Sequence, residues 1–315
     1  MRLLTPRAVT RVAGWRALGA GWHCVNVVRV PLALITGAST GIGRATALRL
    51  AGKGWTVLAG VRDQAAGERL TREAGAAGQM IPLTLDVTDA EQIARAAVRC
   101  EEIAGQDGRS TRSGLDALVN NAGIGIGGPL ELVAAEDLRR QFEVNVFAQV
   151  AVTQALLPAL RRARGRIVFV SSIGGRVAMP FTAPYAASKH AIEAFGDALR
   201  VELRSSNVRV ALIEPGSVAT PIWDKSRAEA DRVSIPPALW EQYGNVPAAM
   251  DKVLEDTARR GVAPELVAET IERALTARRM RARYVVGRDA KAMLIARRLL
   301  PDLVFDRVAR RALGV

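Results

Sequence analysis

From Val30 onward, short runs rich in Val, Ile and Leu alternate with longer stretches of helical periodicity, and no other property of the chain constrains its fold as much. The apolar runs fall near 32–36, 56–61, 80–86, 115–120, 166–171, 208–213 and 283–286, and the helical stretches near 41–53, 66–76, 90–104, 136–162, 184–206 and 264–279. Runs that are apolar at every position, rather than every second one, belong to strands buried on both faces, as in a parallel sheet. The alternation therefore predicts one doubly wound α/β domain with helices on both faces of its sheet. By length alone, 315 residues would also accommodate two smaller domains. No unit of twenty to fifty residues repeats, which excludes a solenoid.

Two stretches interrupt the alternation. Gly105 to Ser113 is polar and Gly-rich and reads as a surface loop. Residues 217–264 form the longest stretch without a strand and carry Trp223, Trp240, Tyr243 and five prolines from Pro221 to Pro264. A segment of that length inside a compact domain is usually a lid or binding loop.

Composition narrows the chemistry. With Cys24 and Cys100 as the two cysteines and His23 and His190 as the two histidines, neither a disulfide framework nor a Cys/His metal cluster can be assembled, and no metal is expected. No run of eighteen uncharged apolar residues exists, so no spanning helix is expected, and a reducing, cytoplasmic setting fits. The net charge is +13, and residues 1–62 hold nine Arg or Lys with no Asp or Glu. The basic residues lack interleaved aromatics, so nucleic acid is not expected as a partner. Residues 1–28 carry Arg2, Arg7, Arg11 and Arg16 like an acid-poor leader but lack a clean cleavage pattern; they are taken as a basic extension outside the fold, or a start codon placed too early.

Dinucleotide chemistry is written at the strand ends. The first strand runs into Thr36-Gly37-Ala38-Ser39-Thr40-Gly41-Ile42-Gly43 and then directly into a helix. Glycines let backbone approach a pyrophosphate, and the helix start offers free N–H groups with partial positive charge. The spacing is G-x-x-x-G-x-G rather than the usual G-x-G-x-x-G. The second strand ends in Val61 followed by Arg62 and Asp63; an acid at the tip suits the 2′-hydroxyl of NAD, an arginine the 2′-phosphate of NADP, so NADP is expected, with NAD possible through Asp63. Asp86-Val87 after the third strand could accept from an adenine amino group, or Asp86 could merely support a capping box at Thr88-x-x-Glu91. Asn120-Asn121-Ala122-Gly123 ends the fourth strand, where asparagines bridge neighbouring strands and shape the cofactor's bed.

Downstream, Ser171-Ser172-Ile173-Gly174-Gly175 precedes Tyr185-Ala186-Ala187-Ser188-Lys189. A helix starting near Pro184 puts Tyr185 and Lys189 one turn apart on one face. An ammonium beside a phenol favours the phenolate, so Tyr185 is expected to titrate well below its ordinary value of about 10, with a serine holding a carbonyl oxygen. His190 points about 100° away and is given no role.

Together, Thr36-Gly37-x-x-x-Gly41-x-Gly43, Asp86, Asn120 to Gly123, Asn145, Ser172, Tyr185-x-x-x-Lys189 and Pro215-Gly216 stand in the order and spacing of the short-chain dehydrogenase/reductase family, which residues 30–288 resemble. The resemblance implies a Rossmann-like seven-stranded parallel sheet, a nicotinamide cofactor and hydride transfer at a carbinol or carbonyl carbon. It makes Tyr185 the general acid or base, Lys189 the group that lowers its pKa and bonds the nicotinamide ribose, and Ser172, thirteen residues before Tyr185, the binder of the substrate oxygen. Asn145 would hold a proton-relaying water, or else be a satisfied core amide. Thr220 would bond the nicotinamide carboxamide. The Arg283-Tyr284-x-x-Gly287 strand and the tail resemble the branch of 17β-hydroxysteroid and retinol dehydrogenases, which implies a hydrophobic alcohol, aldehyde or ketone. Met179, Pro180, Phe181, Trp223, Trp240 and Tyr243 are the expected walls of its pocket. Family members commonly form dimers or tetramers.

The expected organisation is thus a basic extension over 1–28, one catalytic domain over 29–288 with its lid at 217–264, and a basic amphipathic tail over 289–315. The tail's apolar residues alternate with Arg297, Arg298, Arg307, Arg310 and Arg311, which suits an anionic membrane surface, its own domain or a second subunit. A non-catalytic NADP-sensing module is the alternative function, disfavoured because Tyr185 and Lys189 are both present.

Overall fold

The computed structural model describes residues 10–18, 21–75, 79–106, 113–220 and 235–313. Arg2, Arg7, Pro221, Trp223 and most of the polar loop before the fourth sheet strand lie outside the described residues.

The basic extension contains an antiparallel hairpin, β1 (Thr10–Leu18) and β2 (Gly21–Arg29), which forms a sheet of its own. Seven parallel strands follow: β3 (Leu32–Ile35), β4 (Thr56–Val61), β5 (Gln79–Thr84), β6 (Ala117–Asn120), β7 (Arg166–Val170), β8 (Arg209–Pro215) and β9 (Arg283–Val286), in the order β5-β4-β3-β6-β7-β8-β9. The sheet is doubly wound because the connections after β3 and β6 run to opposite edges.

Both sheet faces are covered, which is why the strands read as unbroken apolar runs. Ala33 and Ile35 face helices α1 (Gly41–Gly52), α2 (Gln64–Ala74) and the later helix Pro264–Thr276. Leu32 and Leu34 face α3 (Ala90–Gln106), the helix Ala148–Ala163 and the helix Ala183–Glu202. The predicted helix over 136–162 is not uniform: α4 (Ala135–Phe142) passes through a π-turn at Glu143–Phe147 into α5 (Ala148–Ala163). Taken together, this is the one helix among the described residues long and apolar enough to cross a membrane, but Val152, Leu156 and Leu160 bury its inner face in the core. After α6 (Ala183–Glu202), residues 235–263 contribute α7 (Trp240–Tyr243) and α8 (Val246–Arg260), and α9 (Pro264–Thr276) returns to the sheet.

The amphipathic tail is broken in two. It is two helices, α10 (Arg288–Leu299) and α11 (Asp302–Leu313), because Pro301 has no N–H to continue the ladder. Phe305 and Ala309 fold back onto Val177, with Met293 and Leu300 packed beside them.

Candidate active site

The chain leaves β3 through a turn that only glycine can make. Gly37 and Gly41 have φ of 64° and 54°. A Cβ at Gly37 would lie 2.9 Å from Ala122 Cα, and one at Gly43 would lie 2.2 Å from the Gly37 carbonyl oxygen. Asn121 clamps the turn to β6: its Nδ2 donates to the Thr36 carbonyl (2.9 Å) and the Gly37 carbonyl (3.1 Å). In return, the Thr36 hydroxyl accepts from the backbone N–H groups of Asn121 and Ala122, each at 3.0 Å. Asn120 points to the other side and donates to the Thr153 hydroxyl. Thr40 makes no side-chain cap on α1, and the first turn of that helix holds no acid. Tight backbone approach at an uncapped, acid-free helix start is the arrangement that receives a phosphate, and the described residues fit one.

This turn opens on a cleft of about 660 Å³ along the C-terminal ends of the strands. Gly37, Ser39, Thr40, Gly41, Ile42, Arg62, Asp86, Val87, Asn121, Ala122, Gly123, Tyr185, Lys189, Pro215, Gly216 and Thr220 all line it. Thr220 stands over Gly41, where a Cβ would come within 3.1 Å of its methyl group. Two expected contacts lie elsewhere. Gly43 is enclosed inside the turn, and Asp63 faces away as the cap of α2, accepting from Ala65 N at 3.1 Å. Arg62 alone of that pair reaches the cleft, at its exposed rim. Asp86 also lines it, its Oδ1 accepting from the Thr88 N–H (3.0 Å) and hydroxyl (2.7 Å). The expected Thr88-x-x-Glu91 box is displaced by one residue: with Thr88 held by Asp86, Asp89 caps α3, accepting from the N–H groups of Glu91 and Gln92. Arg139 and Arg140 of α4 and Glu143 of the π-turn also line the cleft and escaped the sequence reading, for nothing in an amphipathic stretch distinguishes them from solvated charges.

Ser172, Tyr185 and Lys189 converge at the inner end. Ser172 lies two residues beyond β7, capping the turn that follows, and accepts from Gly174 N at 3.0 Å, while its side chain also hydrogen-bonds Tyr185. Lys189, one turn beyond Tyr185 on α6, is buried and donates to the Val170 carbonyl at 2.8 Å, with its Nζ 5.7 Å from the tyrosine ring centre. The expected lowering of the phenol does not hold in this geometry. Burial lifts Tyr185 above its ordinary value against the hydrogen bond from Ser172, and burial also brings Lys189 from 10.5 down to about 8, against the raising influence of Glu193. Desolvation is the larger influence on both groups.

The side chain of Asn145 makes the contacts of a core amide. Held in the π-turn and fully buried, its amide accepts from Ile124 N (2.8 Å) and donates to Ile124 O (2.9 Å) and Ser188 Oγ (3.1 Å). Its side chain is a satisfied amide that fixes the segment beyond β6, and it does not line the cleft. Beneath Lys189 lies an ion network. Arg283 Nε meets Glu193 and Glu214, each at 3.0 Å, and its Nη2 meets Asp197 at 2.6 Å. Glu214 also pairs with Arg176 at 3.1 Å.

The model of the short chain dehydrogenase family matches residues 31–231, nearly two thirds of the sequence. The chain belongs to this family. It is 35% identical over 281 residues to an NADPH-dependent 3-dehydrocapnine reductase from Ornithobacterium rhinotracheale, covering 88% of this chain and 95% of the relative. It is 37% identical over 285 residues to retinol dehydrogenase 5 of Mus musculus, covering 87% and 86%. A short-chain dehydrogenase/reductase from Burkholderia phymatum, solved in complex with NAD, superposes with a TM-score of 0.70 at 29% identity, covering 85% of this chain and 93% of that one. The chain is thus an oxidoreductase with the family's Rossmann-type sheet.

In this short-chain dehydrogenase a second, apolar cavity of about 230 Å³ abuts the first. Ser172, Tyr185 and Gly216 are the residues that line both. Its apolar walls include Ile126, Ile173, Val177, Met179, Ile235, Val246, Met250, Val253, Leu254 and Met293. Of the residues expected there, Met179 lines it, whereas Pro180, Phe181, Trp240 and Tyr243 do not. Trp240 is 61% exposed, and Tyr243 donates to Glu131 instead. The walls supplied by α8 were missed, although Val246, Met250 and Leu254 recur at helical spacing within the stretch taken for a loop.

Proposed function

We propose that the protein is an NADP(H)-dependent oxidoreductase that interconverts a hydrophobic alcohol with its aldehyde or ketone, with Tyr185 as general acid and base. The observation that carries this function is the junction of the two cavities: Ser172 and Tyr185 stand where a cleft that fits a dinucleotide meets an apolar pocket. Arg62 at the rim of the cleft favours a 2′-phosphate, and the reductase relative is named for NADPH, whereas the Burkholderia structure holds NAD.

When bound, the nicotinamide supplies hydride to the carbonyl carbon or removes it from the carbinol. The chain's own residues then handle the oxygen. In reduction, Tyr185 donates its proton to the carbonyl oxygen as negative charge develops, and Ser172 donates a second hydrogen bond whose strength grows with that charge. Ser172 is preset because Gly174 N already occupies one of its acceptor positions. Lys189 carries three hydrogens; the Val170 carbonyl takes one and fixes its position, leaving the others for the ribose and the tyrosine. Asn145 sets the backbone beyond β6 through Ile124 and so acts on the cleft wall rather than on the reacting atoms.

We further infer from the family resemblance a cytoplasmic homodimer or homotetramer, which light scattering of the purified chain would test. The function itself is tested by following NADPH absorbance against a panel of apolar ketones, aldehydes and secondary alcohols. Turnover with wild type and its loss in Tyr185→Phe, with dinucleotide binding retained, is the expected outcome. Full turnover by Tyr185→Phe would remove the tyrosine from its role.

A further inference from the structure

The tail helices have two faces, and only one is accounted for by the domain. On the inner side, Met293 lines the apolar cavity and Phe305 and Ala309 pack on Val177. On the outer side, Ile295, Leu299 and Leu303 are 59%, 72% and 74% exposed, and they flank the Pro301 break between α10 and α11. Val304 and Val308 extend the apolar surface along α11. Single exposed leucines are ordinary, but five large apolar side chains left exposed on two short adjoining helices mark a contact surface.

Charge decides which contact. Residues 288–315 carry seven Arg or Lys against three Asp. Arg297 is bound within the hairpin, pairing with Asp302 at 2.7 Å and stacking over Phe305, so it braces the tip. Arg298 and Arg307 are exposed on the same two helices as the apolar group. A second copy of this chain would bring the same net positive charge to the patch, which opposes self-association there. An anionic lipid surface complements both features, accepting leucines between its headgroups and the arginines among its phosphates. We propose that the α10–α11 hairpin docks on anionic phospholipid bilayers, with Leu299 and Leu303 as the inserted residues. The proposal does not depend on the redox function, since neither leucine touches the cleft or the apolar pocket.

The test is flotation of the full-length protein with vesicles of phosphatidylcholine alone or mixed with phosphatidylglycerol, at low and high salt. Wild type is expected to float with the anionic vesicles only and to be released by salt. Leu299→Glu/Leu303→Glu is expected to bind them at least about tenfold more weakly, since two apolar side chains and two unfavourable charges are exchanged. Both positions are exposed, so an unchanged unfolding midpoint will show that the variant is folded. Because the extension before β3 is also basic, this variant rather than the salt effect assigns binding to the tail. Equal binding by the variant overturns the proposal, as does failure of wild type to float. A variant that converts an oligomer to monomers, with no vesicle binding by wild type, would make the face a subunit interface instead.

Discussion

Replacing Lys189 with methionine removes a buried charge, and the resulting stability change has a sign and a pH window that can be derived. Burial lowers Lys189 from 10.5 to about 8 in the folded protein. A lysine whose folded-state pKa lies below its unfolded one destabilises the fold when protonated. That penalty is complete below about pH 8, shrinks between 8 and 10.5, and is gone above 10.5. At about 1.4 kcal/mol for each tenfold change in the proton equilibrium, the penalty at neutral pH is about 3 kcal/mol. Lys189→Met relieves it but orphans the Val170 carbonyl, which costs about 1–3 kcal/mol. The two effects nearly cancel at pH 7, so the stability at any one pH is a poor test. Their pH dependence is a good one: relative to wild type, the variant should lose about 3 kcal/mol between pH 7 and 10.5, as wild type sheds its penalty and the orphaned carbonyl stays. Urea unfolding of both proteins across that range measures the difference. Cys100, pushed up to about 12 by burial, is common to both proteins and drops out of the comparison. The variant should have lost turnover throughout. A stability difference flat with pH would show that Lys189 is not desolvated as the packing of α6 against β7 implies, and would refute the reasoning.

Three other substitutions probe the rest of the site. Gly43→Ala would place a Cβ 2.2 Å from the Gly37 carbonyl and 2.5 Å from Asn121 Nδ2; the turn must open, and dinucleotide affinity by fluorescence titration should fall at least about tenfold. Arg62→Ala should lower the NADPH over NADH preference in kcat/KM by about tenfold, the worth of one exposed charge-assisted phosphate contact; an unchanged ratio would leave Arg62 a solvated rim residue. Arg283→Met leaves Glu193 and Glu214 buried without their shared partner and should destabilise by about 3–5 kcal/mol in urea unfolding at pH 7. Burial already raises the Glu193 carboxyl, so protonation relieves part of this loss, and the variant's deficit should narrow as pH falls towards the carboxylate range.

Much of this architecture was legible because each signal was local. Ala33 to Ile35 had to be apolar on both faces, and Gly37, Gly41 and Gly43 had to be glycine whatever the distant sequence. Tyr185 and Lys189 share a helix face by periodicity alone. What escaped depended on partners distant in sequence. Asn145 reads the same in sequence whatever its side chain meets, since the π-turn that aims it at Ile124 is a property of the packed helix. The phenol's pKa depended on burial, which a Tyr-x-x-x-Lys spacing does not encode. Asp63 and Arg62 are adjacent in sequence, yet one caps a helix and the other faces the cleft, because successive residues leaving a strand point to opposite sides.

The same topology explains why so few residues suffice at the junction. In a parallel sheet every strand delivers its C-terminal end to one edge, so Asn121 after β6, Ser172 after β7 and Gly216 after β8 arrive side by side. Beyond β7 the chain folds into a short turn capped by Ser172 before α6 begins, and that turn seats Gly174 against the Tyr185 ring, where a Cβ would come within 3.3 Å. Larger residues there would push the ring off the serine. The position of the phenol is therefore set by backbone and by the absence of a side chain, leaving Lys189 and the Arg283 network to govern charge. Geometry and electrostatics are carried by different residues, so substitutions at Gly174 should impair turnover without the pH signature expected of Lys189.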